Sequence, residues 1–194
     1  MNYLEINKDA WDSRTDTHIK SEFYDVESFK KGRSSLNPPE LKLLGDVKGK
    51  SILHLQCHFG QDTLSLARMG ANVTGVDLSS KAIEQANLLK ESLGIDATFV
   101  ESDVCQFDQI NQKQFDIVFT SYGVLCWLSD LSAWANTVAN SLKCGGKFHL
   151  VEFHSVNDLL SGYSYFPKSE PDIDEEIFRD LRRELFLVNR SWDI

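Results

Sequence analysis

Between Ser51 and Phe153 the chain alternates between short apolar runs and longer stretches in which apolar residues return every three or four positions. Ile52, Leu53 and Leu55 form a nearly continuous apolar run, the pattern of a strand buried on both faces. Leu64, Leu66, Ala67 and Met69 then carry a helical spacing, and Val73 and Val76 return to a strand that ends in Asp77. Read onward in this way, the pattern predicts strands over 51–56, 72–77, 97–101, 115–120 and 147–153, with helices over 61–69, 80–92 and 130–142. Strand–helix alternation of this kind predicts an α/β fold: a mostly parallel sheet with helices on both faces.

The flanks read differently. From Asn7 to about Lys31, Ala10, Trp11, Ile19, Phe23, Tyr24, Val26 and Phe29 stand among many charges, which predicts one or two amphipathic helices ahead of the sheet. Ser35 to Pro39 reads as a loop, because Pro38-Pro39 cannot lie in a helix interior, and Glu40–Leu44 as a short helix ending at Gly45. Gly94 and Gly145-Gly146 fall where helix C-caps are expected. Beyond Ser155 no pair of strands is legible. Ile173, Ile177, Leu181 and Leu185 instead make the apolar stripe of an amphipathic helix over 173–187. Three regions follow: a helical lid or cap over 1–48, an α/β core over 49–155 and a divergent tail over 156–194.

Composition narrows the classes. A chain of 194 residues with 42% hydrophobic and 25% charged content is an ordinary soluble domain, long enough to bury a core. A formal charge of −9 argues against nucleic acid as the main partner, since phosphate recognition needs a basic face. No apolar run approaches a membrane span, and MNYLEINKDAWDSR lacks the basic-then-apolar layout of a signal peptide. Cys57, Cys105, Cys126 and Cys144 form no CxxC pair and read as reduced thiols of a cytoplasmic protein. His54 and His58 lie on a strand and a turn without a ligand set at a known spacing, so no metal is expected.

The chemistry concentrates in SILHLQCHFGQDTLSLARMGANVTGVDLS, residues 51–79. A strand, a turn closing at Gly60 and a helix bring unpaired backbone N–H groups to one point, which suits an anionic ligand group. A carboxylate at the tip of the neighbouring strand, Asp77, is placed to accept from the two hydroxyls of a ribose. The turn has no Gly-x-Gly-x-x-Gly, so a nicotinamide dinucleotide is not the ligand it suits.

This run resembles motif I of the class I S-adenosylmethionine-dependent methyltransferases, in a variant form known from a bacterial subgroup. Where that family has Asp-x-Gly-x-Gly-x-Gly, this chain has His54 at the Asp, Gln56 and His58 at the first two glycines, and Gly60 at the third. Gln56 and His58 must then take backbone angles that glycine would adopt more cheaply. The resemblance covers roughly residues 5–155 and implies a Rossmann-like fold, with the family's last strands shortened or missing.

It further implies S-adenosylmethionine as the cofactor. Gln56, Cys57 and Gly60 would approach its methionine portion, and Asp77 would hold the ribose. Leu78 would pack on the adenine, Asp103 would accept from the adenine amino group, and the backbone of Val104 would read the ring edge. Trp11 and Arg14 would belong to a helix folded over the cofactor, with Arg14 on its carboxylate or simply solvated. Ser121 and Tyr122 follow the fourth strand, where they would floor the transferring methyl and border the acceptor, with Tyr122 a candidate catalytic and substrate-contacting residue. Trp127 would wall the acceptor or pack in the core. His154, closing the fifth strand, is the candidate general base, its ordinary pKa of about 6.5 suiting neutral-pH proton removal, or else a loop histidine without a role.

The expected function is methyl transfer to a small-molecule acceptor by a cytoplasmic monomer or homodimer, independent of nucleic acid and membrane. A cofactor-binding regulatory or assembly subunit without turnover is the alternative.

Overall fold

The computed structural model describes residues 3–154 and 156–160. Five strands make the sheet: β1 (Ser51–Leu55), β2 (Asn72–Asp77), β3 (Thr98–Glu101), β4 (Phe115–Ser121) and β5 (Leu142–Val151). All pairings among them are parallel, in the order β3-β2-β1-β4-β5. The chain runs outward from β1 in one direction, then returns to its other side for β4. This order reverses between β1 and β4, and in open α/β sheets ligands sit at the carboxyl ends of the strands flanking such a reversal.

Alternation along β1 explains why the sheet is covered twice. Ile52 packs with Val73, Ile117 and Phe119 under one helical layer, and Leu53 and Leu55 pack with Val76, Val118 and Trp134 under the other. Ile52, Leu53 and Leu55 are fully buried. Each such side chain contributes roughly 1.5–3 kcal/mol through burial. The covering helices are α4 (Gln61–Arg68), α5 (Ser80–Leu93), the short α6 (Phe107–Ile110) and α7 (Leu131–Ser141). Ser79 caps α5 by accepting from Ala82 N–H at 3.0 Å, and Asp130 caps α7 by accepting from Ala133 N–H at 2.9 Å.

Ahead of the sheet lie α1 (Tyr3–Lys20), α2 (Val26–Lys30) and α3 (Pro38–Leu44); α8 (Val156–Leu160) follows β5. Helix α1 is fastened to α5 by Asp12. Its carboxylate accepts from Ser79 Oγ at 2.5 Å, Ser80 Oγ at 3.2 Å and Lys81 N–H at 3.1 Å. A carboxylate at a helix N-terminus satisfies orphan donors and faces the positive dipole end. Phe29 of α2 is fully buried and joins the core.

Most element ends shift by a residue or two from the sequence reading, β5 begins five residues earlier, and two departures have a clear physical reason. The third helix begins at Pro38 rather than Glu40, because prolines occupy its first turn, where the missing N–H would have had no partner anyway. Gly145-Gly146 do not cap α7, which ends at Ser141; they lie within β5. There Phe115 faces Leu142 while Ile117 faces Lys147, so the extra residues bulge out of register. Gly145 takes φ 78°, which a bulge requires and a β-carbon resists. Gly94 does cap α5, at φ 62°. The expected helix over 173–187 and the question of further strands lie outside the described residues.

Gly60 is constrained twice. Its φ is 81°, and a β-carbon there would stand 2.5 Å from the Phe99 ring and 3.1 Å from Ala86 Cβ. The residue therefore sets how closely α5 and β3 approach the turn. Gly60→Ala is expected to destabilise the protein by about 1–3 kcal/mol, combining overpacking with a disfavoured φ. Urea unfolding with an unchanged slope and a lowered midpoint would register it.

Candidate active site

The turn between β1 and α4 opens on a cavity of about 950 Å³ above the carboxyl ends of β1, β2 and β4. Pockets for small ligands run from about 300 to 1,000 Å³, so this one has room for more than one group. Gln56 and His58 have φ of 56° and 49°, as their places at glycine positions require. Left-handed angles cost a residue with a β-carbon roughly 1–2 kcal/mol, and the side chains offset this with contacts glycine could not make. Gln56 Nε2 donates to Val124 O at 3.1 Å, and its Oε1 accepts from Thr120 Oγ1 at 3.2 Å, locking the turn to the end of β4. His58 Nε2 lies 3.0 Å from His18 Nδ1 and so joins the turn to α1. Burial pushes both imidazoles down, to about 4 at His18 and about 3 at His58, with Arg14 and His18 respectively adding repulsion.

Asp77 stands at the tip of β2. Its Oδ2 accepts from His58 N–H at 2.7 Å and its Oδ1 from Ser79 N–H at 2.9 Å, which aims the carboxylate across the cavity. Burial pushes its pKa up to about 6, against those backbone donors, which favour the charged form; Asp12 adds repulsion. Leu78, Asp103 and Val104 border the same side of the cavity. Asp103 turns its Oδ1 back onto Cys105 N–H at 2.9 Å. Gly60 and Cys57 line it as well, although the Cys57 thiol is buried and its pKa pushed up by desolvation.

The opposite side is built by the segment after β4. Ser121, Tyr122 and the Trp127 ring line the cavity. Tyr122 takes φ 51°, and burial, with the Glu40 carboxylate beside it, pushes its hydroxyl's pKa up. Trp127 lies in a 3-10 turn over Leu125–Trp127, with Trp11 of α1 edge-on to it at 5.4 Å. Arg14 stacks over Trp127 at 5.1 Å and over Trp11 at 5.7 Å, and its Nη1 is buried without a partner among the described residues.

The candidate general base is not brought in. His154 is outside the cavity lining, and its Nδ1 accepts from Val156 N–H at 3.2 Å, a local loop bond. The neighbour that matters is Glu152, whose carboxylate accepts from the backbone N–H groups of Gly123, Val124 and Leu125 and so holds the loop after β4. Nothing in the sequence marked Glu152 as that anchor, because its partners are backbone amides nearly thirty positions away. Asp62, in the first turn of α4, was missed too, and it lines the cavity. Its place two residues after Gly60 was the available signal.

Residues 52–146 match the family described as "Methyltransferase domain". Over those residues, just under half of the chain, it resembles a methyltransferase domain. Among curated proteins it is similar to the ubiquinone biosynthesis O-methyltransferases of Serratia proteamaculans, 27% identical over 72% of this chain and 58% of that one. The enzyme of the same name from Proteus mirabilis is 28% identical over 79% of this chain and 63% of that one. The chain thus spans about three-fifths of the length of these relatives. Among solved structures, a DhpI–SAM–HEP complex shares the fold with a TM-score of 0.61 at 20% identity, over 88% of this chain and 73% of the other. The matched region contains the β1 turn, Asp77, Asp103 and the segment after β4, whereas Trp11 and Arg14 lie ahead of it. None of the described helices is long and apolar enough to cross a membrane.

The raised pKa of Asp77 has a sign that can be checked. Between its unfolded value near 3.8 and its folded value of about 6 the native state binds the extra proton, so this residue's contribution to stability falls as pH rises through that window. Asp77→Asn removes the buried charge while keeping an acceptor for His58 N–H. The variant is expected to be more stable than the parent by about 1–2 kcal/mol at pH 7, with little difference at pH 4. Thermal melts of the two proteins at both pH values test this.

Proposed function

We propose that the chain binds S-adenosylmethionine and transfers its methyl group to a small-molecule acceptor. The observation that carries this reading is the Asp77 carboxylate, fixed by two backbone donors and turned into a cavity shared with the β1 turn. Each of its oxygens keeps a lone pair for a ribose hydroxyl. Leu78, Asp103 and Val104, which line the same cavity, would border the adenine. The orphaned Arg14 Nη1 fits a carboxylate, with the guanidinium already oriented by two indole faces.

The cofactor, when bound, supplies a methyl group already activated on a sulfonium. What remains for the protein is to align acceptor and donor and to exclude water. Trp11 and Trp127 close one wall, and Ser121 and Tyr122 border the space left for the acceptor. The names of the curated relatives make an oxygen acceptor the first to try. The free thiols of Cys57, Cys105 and Cys144 support a reducing compartment, and we place the protein in the cytoplasm as a monomer or homodimer. In this reading residues 1–48 act as lid, 49–155 as cofactor-binding core and 156–194 as a divergent tail.

Calorimetric titration tests the reading. The chain should bind S-adenosylmethionine and S-adenosylhomocysteine, and Asp77→Ala should weaken the latter at least tenfold in a protein that stays folded, since hydrogen bonds to a charged group contribute roughly 1.5–3 kcal/mol each. NAD and NADP should show no saturable binding. Saturable nicotinamide binding without a response to S-adenosylmethionine would overturn the assignment.

A further inference from the structure

Glu152 follows the last residue of β5 and lies outside the lining of the cavity. Four backbone N–H groups nevertheless converge on its carboxylate. Oε1 accepts from Gly123 and, at 2.8 Å, from Phe153; Oε2 accepts from Val124 at 2.9 Å and from Leu125 at 3.0 Å. The loop presents three consecutive donors because Tyr122 and Gly123 are left-handed, at φ 51° and 69°, and Val124 turns back to φ −95°. Such a reversal points successive N–H groups to one side and makes a concavity for an anion. Here the anion is a side chain of the same chain. Tyr122 N–H donates to Val151 O at 2.7 Å, so the loop leaves β4 still paired with β5 and is bent by the carboxylate from Gly123 onward. Glycine meets the left-handed condition freely, whereas the β-carbon of Tyr122 disfavours it. Charge-assisted bonds to the carboxylate offset that strain.

The bent loop delivers Trp127, and the first half of α1 rests on that residue. Asn7 Nδ2 donates to Trp127 O at 3.0 Å, the Trp11 ring stands edge-on to the Trp127 ring at 5.4 Å and 72°, and Arg14 lies over it at 5.1 Å. Gln56 holds the loop by one carbonyl, that of Val124, at 3.1 Å, and Glu152 holds it by three amides. We propose that Glu152 is the positioning residue of this side of the cavity: through the bent loop it sets Trp127, and through Trp127 it seats the start of α1 over the space where ligand binds. This rests on the methyltransferase reading only for the ligand. Glu152 itself stays clear of the cavity, so any effect it has on binding is carried by Trp127 and α1. Asp12, Lys8 and Asp16 tie the same helix to α5 and to the end of β3, which keeps α1 docked when the Trp127 contact loosens.

Glu152→Gln keeps the size of the side chain but turns one accepting oxygen into a donor, and Glu152→Asp keeps the charge on a shorter stem. The indole pair is the probe: its exciton couplet in circular dichroism, defined as the signal lost in Trp127→Phe, needs no ligand. Glu152→Gln in the full chain is expected to lose at least half of that couplet while its thermal melt stays cooperative, and Glu152→Asp to keep more of it than Glu152→Gln. Amide exchange should quicken over residues 3–11 and 122–128 and stay as in the parent over 80–93. In calorimetric titration S-adenosylhomocysteine should bind Glu152→Gln at least threefold more weakly. A full couplet in folded Glu152→Gln, an Asp variant no better than the Gln variant, exchange raised equally everywhere, or unchanged S-adenosylhomocysteine affinity overturns the proposal. Should Glu152→Gln fail to fold, Glu152→Asp is measured alone, and a full couplet there overturns it. A wild-type chain that does not bind S-adenosylhomocysteine strikes at the methyltransferase reading instead, and couplet and exchange still decide the role of Glu152.

Discussion

The hydrogen bond from His58 N–H to the Asp77 carboxylate, at 2.7 Å, ties the turn after β1 to the tip of β2. Much of the site depends on it. The bond needs His58 in a left-handed conformation, needs β1 and β2 in register from Ser51↔Asn72 to Leu55↔Val76, and needs α5 to begin where Ser79 N–H can reach the other carboxylate oxygen. Given those three conditions, the carboxylate is held from two sides while its remaining lone pairs face the cavity. The cost is a buried charge and two strained backbone positions, Gln56 and His58, where glycine would be relaxed. Sites of this kind store strain that the surrounding packing has to hold.

The variant turn converts that cost into connections. Gln56 reaches the β4 loop through Thr120 and Val124, and His58 reaches α1 through His18. Asp12 fastens α1 again, this time to the start of α5. Both contacts hold helix α1 beside Asp77, and the helix brings Trp11 to the cavity, with Arg14 stacked over its indole. A glycine-rich turn would remove the His58 contact, leaving those of Asp12 to α5, Asn7 to Trp127 O, Lys8 to Glu101 and Asp16 to Lys81.

Charge is distributed with a comparable logic. Asp62, Asp77, Asp103 and Asp130 line the cavity, with Arg33 the cationic residue among the lining and already engaged by Asp25. Arg14 lies just behind the indoles rather than in the lining. A ligand with a positive centre near the strand tips and a carboxylate near α1 would match this arrangement. In a low-dielectric cavity such pairings are stronger than they would be in water, and mismatched charge is correspondingly excluded.

Much of this was legible in the chain. The β1–α4–β2 unit, Asp77 at a strand tip and the left-handed angles at Gln56 and His58 follow from local pattern: buried strands, helical spacing and missing glycines are properties of neighbouring residues. The sequence alone also placed Ser121, Tyr122 and Trp127 at the carboxyl end of β4, with Ser121 itself proving to be the strand's last residue, because a strand's carboxyl end is set by where its apolar run stops. Contacts between distant segments were not legible. That Glu152 holds the loop after β4, that His154 stays outside the cavity, that Gly145-Gly146 open a bulge rather than cap a helix, and that Asp62 faces Ser121 all depend on strand register and on which helix packs where. Those are decided by the whole hydrophobic core at once, since a shift of one residue in β5 or a rotation of α4 would move each of these side chains without altering any local pattern.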